Sequence, residues 1–220
     1  MNRLQAVIFD LDGVLTETSR QHFQAWQELA NILGFCLPEQ VNERLKGISR
    51  MESLETVLRA GGLASQFSEL EKQQLAEQKN IIYQSLIGKF TRENLAEGAL
   101  TLLTSLKENK IKIGLASVSK NALFLLEALK IRDYFDAVAD PGQIQRGKPA
   151  PDIFLLAASQ LDAVPRYCIG VEDAYAGIEA IKSAGMRPLG IGSRQELSNC
   201  EIVVQSLSEV SLELMKTLLE

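Results

Sequence analysis

Two aspartates near the start of the chain, Asp10 and Asp12, are the first residues whose type and spacing suggest chemistry. They follow the apolar run Ala6-Val7-Ile8-Phe9 and flank the turn into Gly13-Val14. A β-branched and aromatic run stopped by Asp and Gly predicts a buried strand over residues 4–10 that opens into a loop. Side chains two apart on an extended backbone point the same way, so both carboxylates project from the strand's C-terminal end. Carboxylates that close repel, and both ionise readily only beside a cation. Mg²⁺ suits them, being hard and selective for oxygen. One carboxylate can then attack phosphorus while the other moves a proton. The same residues also read as solvated turn aspartates, since Asp and Gly are ordinary turn residues.

Three more polar groups follow predicted strands. Ser117-Val118-Ser119-Lys120-Asn121 follows a strand over residues 111–116, Lys148 follows a short strand over 137–139, and Glu172-Asp173 follows one over 168–171. Hydroxyl donors, a cation and two further carboxylates join the first pair. That inventory suits a phosphoryl group held with a divalent metal.

The elements that must position these groups fall into two patterns. Residues 22–88 read as helical and almost strandless. An amphipathic helix over 22–33 places Phe23, Trp26, Leu29, Ala30 and Leu33 on one face. Ser49-Arg50-Met51-Glu52 has the form of a capping box and opens a helix towards Ala60, stopped by Gly61-Gly62. A long helix covers 68–87. Strand and helix then alternate: Asn94 with Glu97 caps a helix to Asn109, helices follow over 121–129, 152–161 and 174–184, strands over 188–191 and 202–204, and a last helix starts near Ser208. Repeated βα units predict a doubly wound parallel sheet, with ligands beyond the strands' carboxyl ends.

Composition narrows the function. The chain has 220 residues, 46% of them apolar and 23% charged, with a net charge of −5. There is no basic run, so neither nucleic acid nor an anionic membrane is an expected partner. Cys36, Cys168 and Cys200 offer no zinc spacing and no disulfide framework, which fits a reducing cytoplasm. Neither a signal-peptide layout nor a membrane span is predicted. One histidine, His22, rules out a three-histidine zinc site. A monomer is expected, because nothing specifies an interface.

Asp10-Leu11-Asp12-Gly13-Val14, the strand end at Ser117, Lys148-Pro149 and Glu172-Asp173 come in the order of the four motifs of the haloacid dehalogenase-like superfamily, which the whole chain resembles. Within it the chain is similar to the β-phosphoglucomutase family. That likeness is carried by Asp12-Gly13-Val14-Leu15-Thr16-Glu17-Thr18, by His22 with Ala25-Trp26, and by Leu45-Lys46-Gly47-Ile48-Ser49-Arg50 with Glu52-Ser53-Leu54. Leu115-Ala116-Ser117-Val118-Ser119-Lys120-Asn121 and Gly147-Lys148-Pro149-Ala150-Pro151-Asp152-Ile153-Phe154 agree. The resemblance implies an α/β fold: a Rossmann-like core over residues 1–16 and 93–220, with a smaller helical cap inserted at 17–92. It also implies a Mg²⁺-dependent phosphomutase of the isomerase class, acting on a small sugar phosphate through an aspartyl phosphate. A sugar-phosphate phosphatase is the second reading, and a non-catalytic sugar-phosphate-binding regulator the third.

The family's roles carry over residue by residue. Asp10 is the expected nucleophile and Asp12 the acid–base. Asp10, Asp12, Glu172 and Asp173 are the expected metal ligands. Lys148 and Ser117 face the transferring phosphoryl group. His22, Gly47, Arg50, Ser53, Lys79, Ser119, Lys120 and Asn121 are expected at the substrate. Trp26 reads as cap core or as a sugar platform. Plainer readings stand beside these: Asp173 as a helix cap, Lys148 as a loop lysine, Ser117 as a turn serine, Asn121 and Lys120 as cap or surface, His22 as a boundary residue, Arg50 and Lys79 as surface cations. Three departures from the family pattern are Glu17 for Asp, Ala174 for Ser, and Glu97-Gly98 for Pro-Gly.

Overall fold

The computed structural model describes residues 4–45 and 47–219. Met1, Asn2, Arg3 and Glu220 lie outside the described residues, as does Lys46 of the family-like cap loop. Along the chain come β1 (Ala6–Phe9), α1 (Ser19–Ile32), α2 (Arg50–Ala60), α3 (Glu69–Ile87), α4 (Ala99–Glu108), β2 (Lys112–Leu115) and α5 (Ala122–Ala128). Then follow β3 (Ala137–Val138), α6 (Asp152–Gln160), β4 (Cys168–Glu172), α7 (Tyr175–Ser183), β5 (Arg187–Ile191), β6 (Val203–Val204) and α8 (Leu212–Thr217).

The strands form one sheet in the order β3-β2-β1-β4-β5-β6, every pair parallel. This is the doubly wound α/β fold. All four residues of β1 and all five of β4 are buried, as continuous apolar runs covered on both faces require. Phe9 pairs with Leu115 on one side and Val171 on the other. The next residue of each strand therefore emerges in one row at the carboxyl edge. The Asp10 N–H donates to the Val171 carbonyl at 2.9 Å, and the Ala116 N–H donates to the Phe9 carbonyl at 2.8 Å.

The chain divides into two compact units, Met1–Glu17 with Thr91–Glu220, and Thr18–Phe90. Ile8, Ile153, Phe154, Ile178 and Ile181 pack in the core of the first. The second packs Trp26, Leu29, Leu54, Leu58 and Ala76 between its helices. Ser49 with Glu52 and Ser68 with Glu71 form complete capping boxes at the starts of α2 and α3. Among the described residues no helix is long and apolar enough to cross a membrane.

Two local expectations need correction. Asn94 and Glu97 do not cap α4. Asn94 instead closes a capping box with Thr91 around a short 3-10 turn, and Gly98 stands at the N-cap with φ 81°. The last helix does not start near Ser208 either, because residues 207–209 form a separate 3-10 turn and Ser211 caps α8.

Candidate active site

The carboxyl edge of the sheet brings Asp10, Lys148, Glu172 and Asp173 together. Asp10 follows β1, Glu172 ends β4, and Lys148 arrives on the loop before α6. The Lys148 ammonium donates to Asp10 Oδ1 at 2.6 Å and to Glu172 Oε2 at 2.8 Å, with its own side chain fully buried. Its Nζ also lies 5.0 Å from the centre of the Phe154 ring. The loop is tied beside it: Arg146 donates from its backbone N–H at 3.2 Å and from Nη2 at 2.9 Å to the Asp152 carboxylate.

Burial alone would lower the Lys148 pKa, but the Asp10 and Glu172 carboxylates outweigh it and hold the group above its ordinary value. It stays a cation. Glu172 is shifted upward as well, which for a carboxyl favours the neutral form. Burial first and the Asp10 charge second push it up to about 7, against the pull of Lys148.

Asp10, Glu172 and Asp173 each offer an oxygen, and these atoms lie within 4.8 Å of one another. The donor set is all carboxylate, which suits a hard cation. Glu172 Oε1 is buried and has no hydrogen-bond partner among the described residues. A buried, unsatisfied carboxylate oxygen is costly unless a ligand meets it. These residues therefore fit the implied Mg²⁺. Asp12 is not part of this three-carboxylate group. It lies in the following loop, bridged to Thr16, where the Gly13 N–H donates to the Thr16 carbonyl at 2.8 Å. Gly13 itself must be glycine: its φ is 83°, and a Cβ there would stand 2.0 Å from Asp173 Oδ2.

Ser117 is buried just past β2, and its Oγ accepts the Ser119 N–H at 3.1 Å. Ser119 Oγ in turn accepts the Asn121 N–H at 3.3 Å. These bonds shape the loop that presents Lys120, which is exposed, and Asn121, which is buried. Asn121 stands at the N-cap of α5 without a side-chain capping bond. Nor does Asp173 cap α7, whose N-cap is Ala174.

The helical unit gathers a second group. Lys79 on α3 donates from Nζ to His22 Nδ1 on α1 at 2.8 Å. An ammonium has no acceptor, so Nδ1 must be the acceptor and the ring proton sits on Nε2. The His22 ring stacks on Tyr83 at 3.9 Å between centroids. Lys79 Nζ lies 4.6 Å from the Trp26 ring centre and 4.7 Å from that of Tyr83. Burial, then Lys79, then Arg50 hold the His22 pKa well below its usual value, so it is neutral. Arg50, the first residue of α2, divides its fork: Nη1 donates to Glu77 Oε2 at 3.2 Å and Nη2 to Asn80 Oδ1 at 2.9 Å. Ser53 is buried one turn further along α2, and Gly47 lies in the turn before it with φ 70°. Trp26 is 2% exposed and belongs to the helical core, so its ring packs rather than forming an open platform.

Tyr83, Glu77 and Asn80 were not legible as site residues. On α3 Tyr83 lies one turn beyond Lys79 and Asn80 one turn beyond Glu77, and i, i+3 and i, i+4 spacing was the available signal. Arg146 and Asp152 were missed as well, although both flank Lys148 in sequence.

A buried Asp–Lys–Glu arrangement at the carboxyl edge of a parallel sheet, with a third carboxylate beside it, defines a phosphoryl-transfer enzyme of the haloacid dehalogenase-like type. The family model for haloacid dehalogenase-like hydrolases matches residues 4–185, and the chain belongs to that family. It is 50% identical over 212 residues to β-phosphoglucomutase of Bacillus subtilis, covering 96% of this chain and 94% of that protein. The crystal structure of β-phosphoglucomutase from Clostridium difficile superposes with a TM-score of 0.95 at 45% identity, covering 98% of this chain and 97% of that one. A phosphorylated carbohydrates phosphatase of Thermotoga maritima is 32% identical, covering 83% of this chain and 82% of that protein. The chain thus falls within the β-phosphoglucomutase branch and is an enzyme of the phosphomutase class.

Proposed function

We propose that the chain interconverts β-glucose 1-phosphate and glucose 6-phosphate with Mg²⁺ bound. The observation that carries phosphoryl transfer is the buried Lys148 ammonium shared between Asp10 at 2.6 Å and Glu172 at 2.8 Å. The choice of sugar rests on the relatives named β-phosphoglucomutase. Asp10, Glu172 and Asp173 would hold the metal, which when bound offsets charge on the carboxylates and on the phosphoryl oxygens.

In this reading Asp10 carries the phosphoryl group. The substrate's O6 attacks phosphorus, the bond from phosphorus to Asp10 breaks, and Asp12 takes the O6 proton. The 1,6-bisphosphate then turns end for end. Asp10 attacks the phosphorus at C1, Asp12 returns its proton to the leaving O1, and glucose 6-phosphate departs. Lys148 orients Asp10 and sets a positive charge beside it, and Ser117 donates to a phosphoryl oxygen. Arg50 binds the phosphate that does not react, through a planar guanidinium fork that can meet two phosphate oxygens at once. His22, Lys79, Ser53, Gly47, Ser119, Lys120 and Asn121 complete the substrate contacts.

A phosphatase acting on sugar phosphates is the second reading, and the Thermotoga maritima relative favours it. One assay separates the two. β-Glucose 1-phosphate is supplied with Mg²⁺ and a trace of β-glucose 1,6-bisphosphate, and glucose 6-phosphate is measured against inorganic phosphate. A mutase yields glucose 6-phosphate in large excess. Phosphate release matching substrate loss would sink the proposal in favour of the phosphatase.

A further inference from the structure

Gly177 lies in the first turn of α7 and is buried. Alanine is the stronger helix former at such a position, so the glycine calls for a packing reason. A Cβ built on Gly177 would stand 2.0 Å from Cδ, 2.3 Å from Cγ and 2.4 Å from Oε1 of Glu172. Atoms do not approach that closely without displacement. The Glu172 side chain therefore occupies the room where residue 177 has none.

Glu172 is poorly placed to step aside. Its side chain is fully buried, and Oε2 is fixed by the Lys148 ammonium at 2.8 Å. The other oxygen, Oε1, has no hydrogen-bond partner among the described residues and belongs to the carboxylate that groups with Asp10 and Asp173. Any shift of Glu172 must move an oxygen away from the cluster or loosen Lys148.

We propose that Gly177 is a positioning residue. Its bare Cα reserves the space that lets one carboxylate hold Lys148 through Oε2 and present Oε1 to a divalent cation. The contact stands on the geometry alone, while its consequence for metal affinity rests on the phosphoryl-transfer reading above.

The test combines magnesium chloride titration by calorimetry, without substrate, and thermal melting of the metal-free protein. Gly177→Ala is expected to weaken Mg²⁺ binding roughly 10- to 100-fold, as loss of a supporting contact to a metal ligand does. It is also expected to lower the metal-free melting temperature, although alanine favours the helix. Glu172→Ala removes Cγ, Cδ and Oε1, so in that background Gly177→Ala should leave the melting temperature unchanged or raise it. Mg²⁺ affinity within about twofold of wild type, where a supporting contact predicts far more, would overturn the proposal. Should Gly177→Ala fail to fold, the double variant decides: folding as well as Glu172→Ala supports the contact, and failing where Glu172→Ala folds overturns it. A wild-type protein that binds no Mg²⁺ would refute the metal reading, yet the melting comparison would still judge the contact between Gly177 and Glu172.

Discussion

Lys148 reaches Asp10 from 138 positions along the chain and donates to its Oδ1 at 2.6 Å, with both side chains buried. The bond does two jobs. It sets a buried cation against the nucleophile's carboxylate, and it fixes the rotation of that carboxylate. A nucleophile needs both.

Asp10→Asn separates the jobs. The amide keeps an oxygen acceptor for Lys148 but loses the charge and the attacking carboxylate. The variant should fold and should bind substrate with Mg²⁺ more weakly than wild type. Its turnover should fall by many powers of ten, as removal of a covalent nucleophile does. Steady-state kinetics on purified Asp10→Asn protein checks this. Retention of about a tenth of wild-type turnover would exclude Asp10 as the nucleophile.

Asp173→Ala addresses the metal. Carboxylates supply most of the affinity of a hard-cation site, so half-activation should need roughly 10- to 100-fold more Mg²⁺. The melting temperature of the metal-free protein reads separately whatever structural part Asp173 plays, and removing one charge from the three-carboxylate group works to raise it. An unchanged Mg²⁺ requirement together with a lower melting temperature would return Asp173 to a purely structural role.

Much of this site could be read in the sequence because it follows from local pattern. β1 is an uninterrupted apolar run ended by Asp10, and a fully buried parallel strand has that signature. The Ser49 box at α2 was equally plain, since its partner Glu52 is only three residues away. The same short pattern misled at Asn94 and Glu97, where the φ of 81° at Gly98 sets the start of α4 and Thr91 claims Asn94. Contacts across long separations left weaker traces. His22 stacks on Tyr83 from α1 to α3, and α3 looks polar around most of its surface. Glu77 and Asn80 therefore resembled solvated residues until Arg50 was seen to divide its fork between them. Gly177 was silent although Glu172 is close in sequence, because the contact exists only in the turn from β4 into α7, which no residue pattern announces.

His22 predicts a pH effect on stability. Its folded pKa is lowered, by burial first and then by Lys79 and Arg50, while in the unfolded chain it protonates near about 6.5. Below that pH the unfolded chain binds a proton that the native state refuses. The contribution is thus fully present above the unfolded pKa and is lost as pH falls below it. His22→Asn keeps an acceptor for Lys79 but cannot titrate. Thermal melting from about pH 7.5 down to about pH 5 should show wild type losing more stability than His22→Asn. Parallel losses in the two proteins would mean that carboxylates, not His22, govern the acid limb.

Arg50 decides between mutase and phosphatase. Its guanidinium is held by Glu77 and Asn80, so its plane is set before any phosphate arrives. Arg50→Lys keeps the charge but lacks the planar fork that reaches Glu77 and Asn80 and still presents an edge to phosphate. A charge-assisted hydrogen bond of this kind contributes on the order of 1.5–3 kcal/mol. At about 1.4 kcal/mol per decade, mutase turnover should fall roughly ten- to a hundredfold. Acetyl phosphate lacks a second phosphate, so its slow hydrolysis should be nearly unaffected by the substitution. The informative quantity is the ratio of the two activities, measured on the same preparation. A selective loss of mutase turnover assigns Arg50 to the phosphate that does not react. An equal loss of both activities would mean that Arg50 supports the fold of the helical unit, and the preference for a mutase would then rest on sequence similarity alone.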